Sequence, residues 1–162
     1  MVSSRFTDAV TNPSRLANCH FYNPALVLKF VEVVQGAHTS EETAKALYDF
    51  CVACGKTPIW MKKEISGFAA NYLLEGIQDR ARALVAGGYC SPQDVDLAAE
   101  NGLNYPMGPF RLMDLTGIDL KYDILNNRYN GGDYDMKDIF ARMVKENKLG
   151  RKTGEGFYKY DK

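Results

Sequence analysis

A histidine and a glutamate twelve residues apart carry the chemistry this chain offers most plainly. His20 sits in His20-Phe21-Tyr22-Asn23-Pro24, and Glu32 lies inside the apolar run Leu28-Lys29-Phe30-Val31-Glu32-Val33-Val34. Side chains alternate between the faces of an extended strand, so Glu32 shares a face with Leu28, Phe30 and Val34, where an unpaired carboxylate is costly to bury. Such an acid wants a cationic or hydrogen-bonding partner. His20 ends its own short apolar stretch, and two adjacent strands would bring imidazole and carboxylate together as a possible base with its orienting acid. A plainer arrangement is also open: an edge-strand glutamate that reaches water and a histidine that packs.

The elements that must position these residues follow from periodicity. Before Ile65 an α/β rhythm predicts an amphipathic helix over 4–10, strands over 17–22, 27–35 and 58–62, and a helix between the last two strands. Thr39 with Glu42 three residues later reads as the capping box of that helix, and Gly55 as its stop. After Ile65 the pattern is helical only. Ser66 reads as an N-cap for a helix with an apolar face of Phe68, Tyr72, Leu73, Ile77 and Leu84, and a polar stripe of Asn71, Glu75, Gln78, Asp79 and Arg82. Ser91-Pro92-Gln93-Asp94 starts another helix with a cap, a first-turn proline and an N3 acid. Further helices are expected over 110–116, 119–129 and 135–148, with Asn130-Gly131-Gly132-Asp133 as a flexible link and residues 150–160 too Gly-rich and charged to be helical.

Composition narrows the partners. The chain is 46% hydrophobic and 25% charged, enough to bury a core. Twenty basic and twenty acidic residues cancel, which leaves no field to hold nucleic acid or an anionic membrane. No apolar stretch approaches the roughly twenty residues of a membrane span, and the first residues lack the apolar core of a signal peptide, so a cytoplasmic location is expected. The four cysteines suit no disulfide framework. Cys51-Val-Ala-Cys54 has no second pair to complete a zinc site and falls near a helix end rather than a helix start, so these read as structural thiols and no metal site is expected. His38 reads as a solvated turn residue without a role.

Five blocks, in order, carry a family resemblance: HFYNP, LKFVEVV, the SGFAANYLL segment from Ser66 to Leu74, YPMGPF from Tyr105 to Phe110, and GRKTGEGFYKY from Gly150 to Tyr160. From about Ser4 to the C-terminus the chain resembles a 3-hydroxyacyl-CoA dehydrogenase of the 3-hydroxybutyryl-CoA dehydrogenase type. That family opens with a Gly-rich strand-to-helix turn, and no G-x-G-x-x-G occurs here. The resemblance therefore implies a mostly α chain. Residues 66–162 would be an all-helical, 6-phosphogluconate-dehydrogenase-like domain for substrate binding and dimerisation, and residues 1–65 the last strands and helices of an incomplete α/β nucleotide-binding domain. NAD would require the missing N-terminal half and would not bind tightly to this chain alone, which would be inactive by itself.

The resemblance also implies roles, position by position. His20 matches the general base that takes the hydroxyl proton as hydride leaves C3, Glu32 the acid that holds it, and Asn71 the amide that stabilises the C3 oxygen. Asn71 read alone is as well an ordinary helix-surface residue. Asn23 and Lys152 match positions that touch the nicotinamide cofactor, although Asn23 could cap a turn and Lys152 could be a solvated charge. A further serine of the family falls farther upstream than the nineteen residues ahead of His20 reach, and neither Ser3 nor Ser4 inherits its role. The implied activity is (S)-3-hydroxyacyl-CoA oxidation in fatty acid β-oxidation, by a homodimer acting on acyl-CoA. Alternatives are a non-catalytic dimerisation or acyl-CoA-binding module, and a related hydroxy-acid dehydrogenase of the gulonate or carnitine type.

Overall fold

Three strands form one mixed sheet, in the order β1-β2-β3, in the computed structural model, which describes residues 2–161. β1 (Asn18–Phe21) runs antiparallel to β2 (Phe30–Val34), and β2 runs parallel to β3 (Thr57–Met61). A parallel pair needs a crossover, and α1 (Glu41–Ala53) supplies it. Val31 and Val33 are fully buried against Cys51 of α1, with Cys19, Leu47 and Tyr48 packed around them. Alternation then puts Glu32 on the other face, directly across from His20 in the β1–β2 register.

The expected mostly α chain with an α/β remnant is corrected here. Residues through Leu74 make a compact unit of their own, an α/β sheet-and-helix layer, and a helical unit begins at Glu75. The reason lies in β2: both of its edges are paired, by β1 and by β3, and Val31 to Val34 are all buried, so the strands enclose a core instead of presenting a severed edge at their centre.

Local chemistry moved several boundaries. The carbonyl of Pro24 accepts from the N–H groups of Val27 and Leu28, each at 2.9 Å, which folds residues 24–28 into a turn and delays β2 to Phe30. The cap of α1 is Ser40, whose hydroxyl accepts from Thr43 N–H at 3.2 Å, because Thr39 spends its own hydroxyl on Gly36 N–H and the Leu16 carbonyl. The first segment winds as a 3₁₀ helix over Ser3–Ala9.

α2 (Phe68–Ala86) holds the largest surprise. Its polar stripe is the buried one: Gln78 is 4% exposed and Arg82 2%, whereas Tyr72 and Leu73 are open. In the second unit Arg82 pairs with Asp79, and Arg128 of α5 (Ile118–Arg128) pairs with both Glu75 and Asp79. Lys121 of α5 is 6% exposed beside these groups. Burial, reinforced by the charge of Arg82, pushes its ammonium down to about 8 from 10.5. The unfolded lysine keeps its proton up to the ordinary value, so stability rises with pH between about 8 and 10.5. Lys121→Met should remove that rise and raise stability at pH 7 by about 1–2 kcal/mol, measured by urea unfolding at pH 7 and pH 9.5.

Two buried aspartates organise the rest of this unit. Asp96, in the last turn of α3 (Pro92–Leu97), accepts from Phe110 and Arg111 N–H at 2.8 and 2.9 Å and so caps α4 (Pro109–Thr116), while the Tyr158 hydroxyl closes on it at 2.8 Å. Asp114 of α4 accepts from Phe157 and Tyr158 N–H and from the Tyr160 hydroxyl, at 2.9, 3.0 and 2.9 Å, which anchors the C-terminal segment. Phe110, Met113, Ile118, Leu125 and Phe140 of α6 (Lys137–Lys145) form the apolar core beside them. The capping box at Ser91 and Asp94 forms as the sequence implies.

The glycines of the tail follow from this anchoring. A Cβ on Gly156 would lie 2.1 Å from Asp114 Oδ1, closer than any real contact, so only glycine lets the segment reach the carboxylate. Gly156→Ala should destabilise the helical unit by about 2–3 kcal/mol in chemical denaturation.

Candidate functional site

Glu32 is fully buried yet fully satisfied. Its Oε1 accepts from the N–H groups of Ala69 and Ala70, both at 2.9 Å, at the first turn of α2. Its Oε2 accepts from His20 Nδ1 at 2.7 Å and from the Tyr22 hydroxyl at 3.1 Å. The backbone turns at Gly67 (φ 82°) and Phe68 (φ 51°) just ahead of α2, so the free N–H groups of the helix face the carboxylate. Burial alone would raise the Glu32 carboxyl, but the bonds from His20, Ala70, Tyr22 and Ala69 together hold it below its ordinary value. The acid is thus an anion fixed between a strand and a helix end.

That anion dictates the imidazole's state. A carboxylate at Nδ1 can only accept, so Nδ1 carries the proton and Nε2 of the neutral ring keeps a lone pair. The ring stands edge-on to Phe68 at 5.3 Å and to Tyr22 at 4.8 Å. His20 and Asn71 line one pocket of about 200 Å³ with Arg5, Ser66, Gly67, Phe68 and Val2. A base and an amide donor therefore share a cleft.

The structure thus brings together His20, Glu32 and Asn71. Asn23 lies exposed in the turn after β1, three residues from the imidazole. Lys152 belongs to the second unit, where its ammonium bonds both oxygens of Asp119 at 2.6 and 2.5 Å. Ser3 is buried and donates its hydroxyl to Glu64 at 2.6 Å, with His38 Nε2 at 3.3 Å. His38, assigned no role from the sequence, is in this way tied to the first turn of the chain.

Sequence reasoning missed Tyr22 and Arg5. The signal for Tyr22 was present, because a residue two beyond His20 on an extended strand points to the same face. Arg5 gave none, since only the fold brings the 3₁₀ segment to the pocket. The thiols of Cys19 and Cys51 lie 3.6 Å apart, and burial pushes the Cys19 thiol up to about 12, which keeps it protonated and inert. Among the described residues no cluster of histidine, cysteine or carboxylate side chains could hold a metal ion, and no helix is long and apolar enough to cross a membrane.

A buried acid thus holds a histidine that shares its pocket with a helix-borne amide, in an α/β unit followed in sequence by a helical one. Residues 67–160 match the family model of the 3-hydroxyacyl-CoA dehydrogenase C-terminal domain, and residues 1–65 match that of the 3-hydroxyacyl-CoA dehydrogenase NAD binding domain. The chain belongs to the 3-hydroxyacyl-CoA dehydrogenase family. It is 40% identical over 157 residues to the human mitochondrial hydroxyacyl-coenzyme A dehydrogenase, covering 94% of this chain and 50% of that protein. It is 35% identical over 162 residues to 3-hydroxybutyryl-CoA dehydrogenase of Clostridioides difficile, covering 98% and 57%. The crystal structure of (S)-3-hydroxybutyryl-CoA dehydrogenase from Ralstonia eutropha superposes with a TM-score of 0.84 at 30% identity, covering 100% of this chain and 58% of that one. The chain spans about half the length of these relatives.

The match over residues 1–65 also overturns the expectation that NAD requires a missing half: the chain carries an NAD-binding domain. A Gly-rich turn is one device of such a domain, and its absence from the sequence is not the domain's absence. The strands that bear His20 and Glu32 lie within the matched residues.

Proposed function

We propose that this protein interconverts (S)-3-hydroxyacyl-CoA and 3-ketoacyl-CoA with NAD, in fatty acid metabolism, with His20 as general base, Glu32 as its orienting acid and Asn71 at the substrate oxygen. The observation that carries the reading is the 2.7 Å bond from His20 Nδ1 to the buried Glu32, which leaves Nε2 for the cleft shared with Asn71. In the oxidation direction Nε2 takes the proton of the C3 hydroxyl, and Glu32 stabilises the imidazolium that forms. The Asn71 amide donates to the C3 oxygen as it changes from hydroxyl to carbonyl, and in the reverse direction stabilises the charge that develops there. NAD, when bound, supplies the hydride acceptor, with Asn23, next to the strand that carries His20, as the residue we assign to its nicotinamide end. Residues from 66 onward hold the acyl-CoA and associate as a homodimer, for which the exposed Leu84, Leu115, Leu120 and Ile124 offer apolar surface.

NADH oxidation followed with acetoacetyl-CoA and, separately, with free acetoacetate tests this reading. Turnover with the thioester alone supports it. Equal turnover of the free acid would favour a CoA-independent hydroxy-acid dehydrogenase, and acetoacetyl-CoA binding without turnover would favour a non-catalytic acyl-CoA-binding module.

A further inference from the structure

We propose that Tyr22 tunes the His20–Glu32 pair: its hydroxyl, donated to the same carboxylate oxygen that receives His20, weakens the hold of Glu32 on the ring and so sets how readily His20 gives up a proton. The inference rests on His20 acting as the base, and it adds a positioning residue to that reaction.

The carboxylate of Glu32 has about four places for donors, and all four are filled. Two are backbone N–H groups that no side-chain change removes, at 2.9 Å on Oε1. The other two compete on Oε2: His20 Nδ1 at 2.7 Å and the Tyr22 hydroxyl at 3.1 Å. Each donor draws electron density from the oxygen, so the phenol lowers the proton affinity that the imidazole feels. Tyr22 is held in place for this. Its ring packs at 5.4 Å from Phe30 and edge-on to His20 at 4.8 Å, contacts that a phenylalanine would make equally well. The hydroxyl is therefore the part that packing does not require.

The phenol also remains a donor throughout the working range. Burial first, then the charge and hydrogen bond of Glu32, push it up to about 12. The groups around the pair come from four sides: His20 on β1, Ile59 across from Glu32 on β3, backbone N–H groups and the neutral Asn71 on α2, and Arg5 lining the pocket. Arg5 is the charged residue among the described residues that line this pocket, and Tyr22→Phe leaves it unchanged.

Two histidines make the test direct, because each gives its own ring signal by NMR and His38, beside the Ser3 hydroxyl, serves as an internal reference. Tyr22→Phe should move the midpoint of the His20 titration upward by about half a pH unit, with that of His38 fixed. Against a Glu32→Gln background the same substitution should leave His20 where it was. Site-specific 3-fluorotyrosine at position 22, a stronger donor that needs no change of shape, should move the midpoint downward and decides the matter if Tyr22→Phe misfolds. An unmoved His20 in both folded variants, or a movement in the same direction in both, overturns the inference. Turnover separates this from the reaction itself: activity that survives His20→Ala would end the reading of His20 as base while leaving the titration result standing. With that reading intact, the acid limb of the kcat profile for 3-hydroxyacyl-CoA oxidation should follow the NMR shift with KM nearly constant.

Discussion

His20→Ala is expected to lower kcat for acetoacetyl-CoA reduction about a thousandfold, with KM changed far less. The imidazole is the one group whose lone pair is fixed by a buried anion and opens on the cleft, so no neighbour can replace its proton transfer. Asn71 has no titratable group, and Arg5 cannot serve as a base because its guanidinium stays protonated. Ground-state binding involves mostly other atoms of the substrate, which is why the loss should fall on kcat. His20→Gln should behave alike, since an amide can donate at the same place yet cannot shuttle a proton. Steady-state rates of the two variants under saturating NADH check this.

Glu32→Ala is expected to destabilise the first unit by about 4 kcal/mol in denaturant unfolding. The substitution strands the N–H groups of Ala69 and Ala70 and the Tyr22 hydroxyl around a cavity, while His20, partly exposed, can turn to water. Glu32→Gln should cost less, because its carbonyl oxygen still accepts, but its NH₂ must then face donors. The pH dependence follows from the depressed carboxyl. A folded value below the unfolded one means that the stabilisation is fully present above 4.5 and is lost as pH falls through the folded value. The gap between the native protein and Glu32→Ala should therefore be widest near neutrality and shrink in acid.

Much of the site was legible because strand alternation is a strong constraint. A carboxylate buried on one face of an apolar strand had to find a partner, and the register that pairs His20 with Glu32 is the simplest that provides one. Capping chemistry was equally readable at Ser91, where side chain and backbone agree within four residues. What failed to show was anything set by the partner surface. The polar stripe of α2 reads as solvated by composition, yet Gln78 and Arg82 are buried, and Arg128 of α5 meets the stripe at Glu75 and Asp79. Nothing in the Gly-rich stretch 150–160 names its partners, yet the Tyr158 and Tyr160 hydroxyls close on Asp96 and Asp114, carboxylates distant in sequence. A missing Gly-rich turn implies a remnant of a sheet only if one motif stands for the whole domain, whereas the strands here enclose a core of their own with α1.

Hydride transfer from NADH deuterated at C4 to acetoacetyl-CoA, analysed by mass spectrometry of the product, tests the central claim most directly. The account predicts deuterium at C3 of (S)-3-hydroxybutyryl-CoA, with transfer nearly abolished in His20→Ala and retained in Tyr22→Phe. Binding of both NADH and acetoacetyl-CoA by the folded protein without any transfer of deuterium would contradict it.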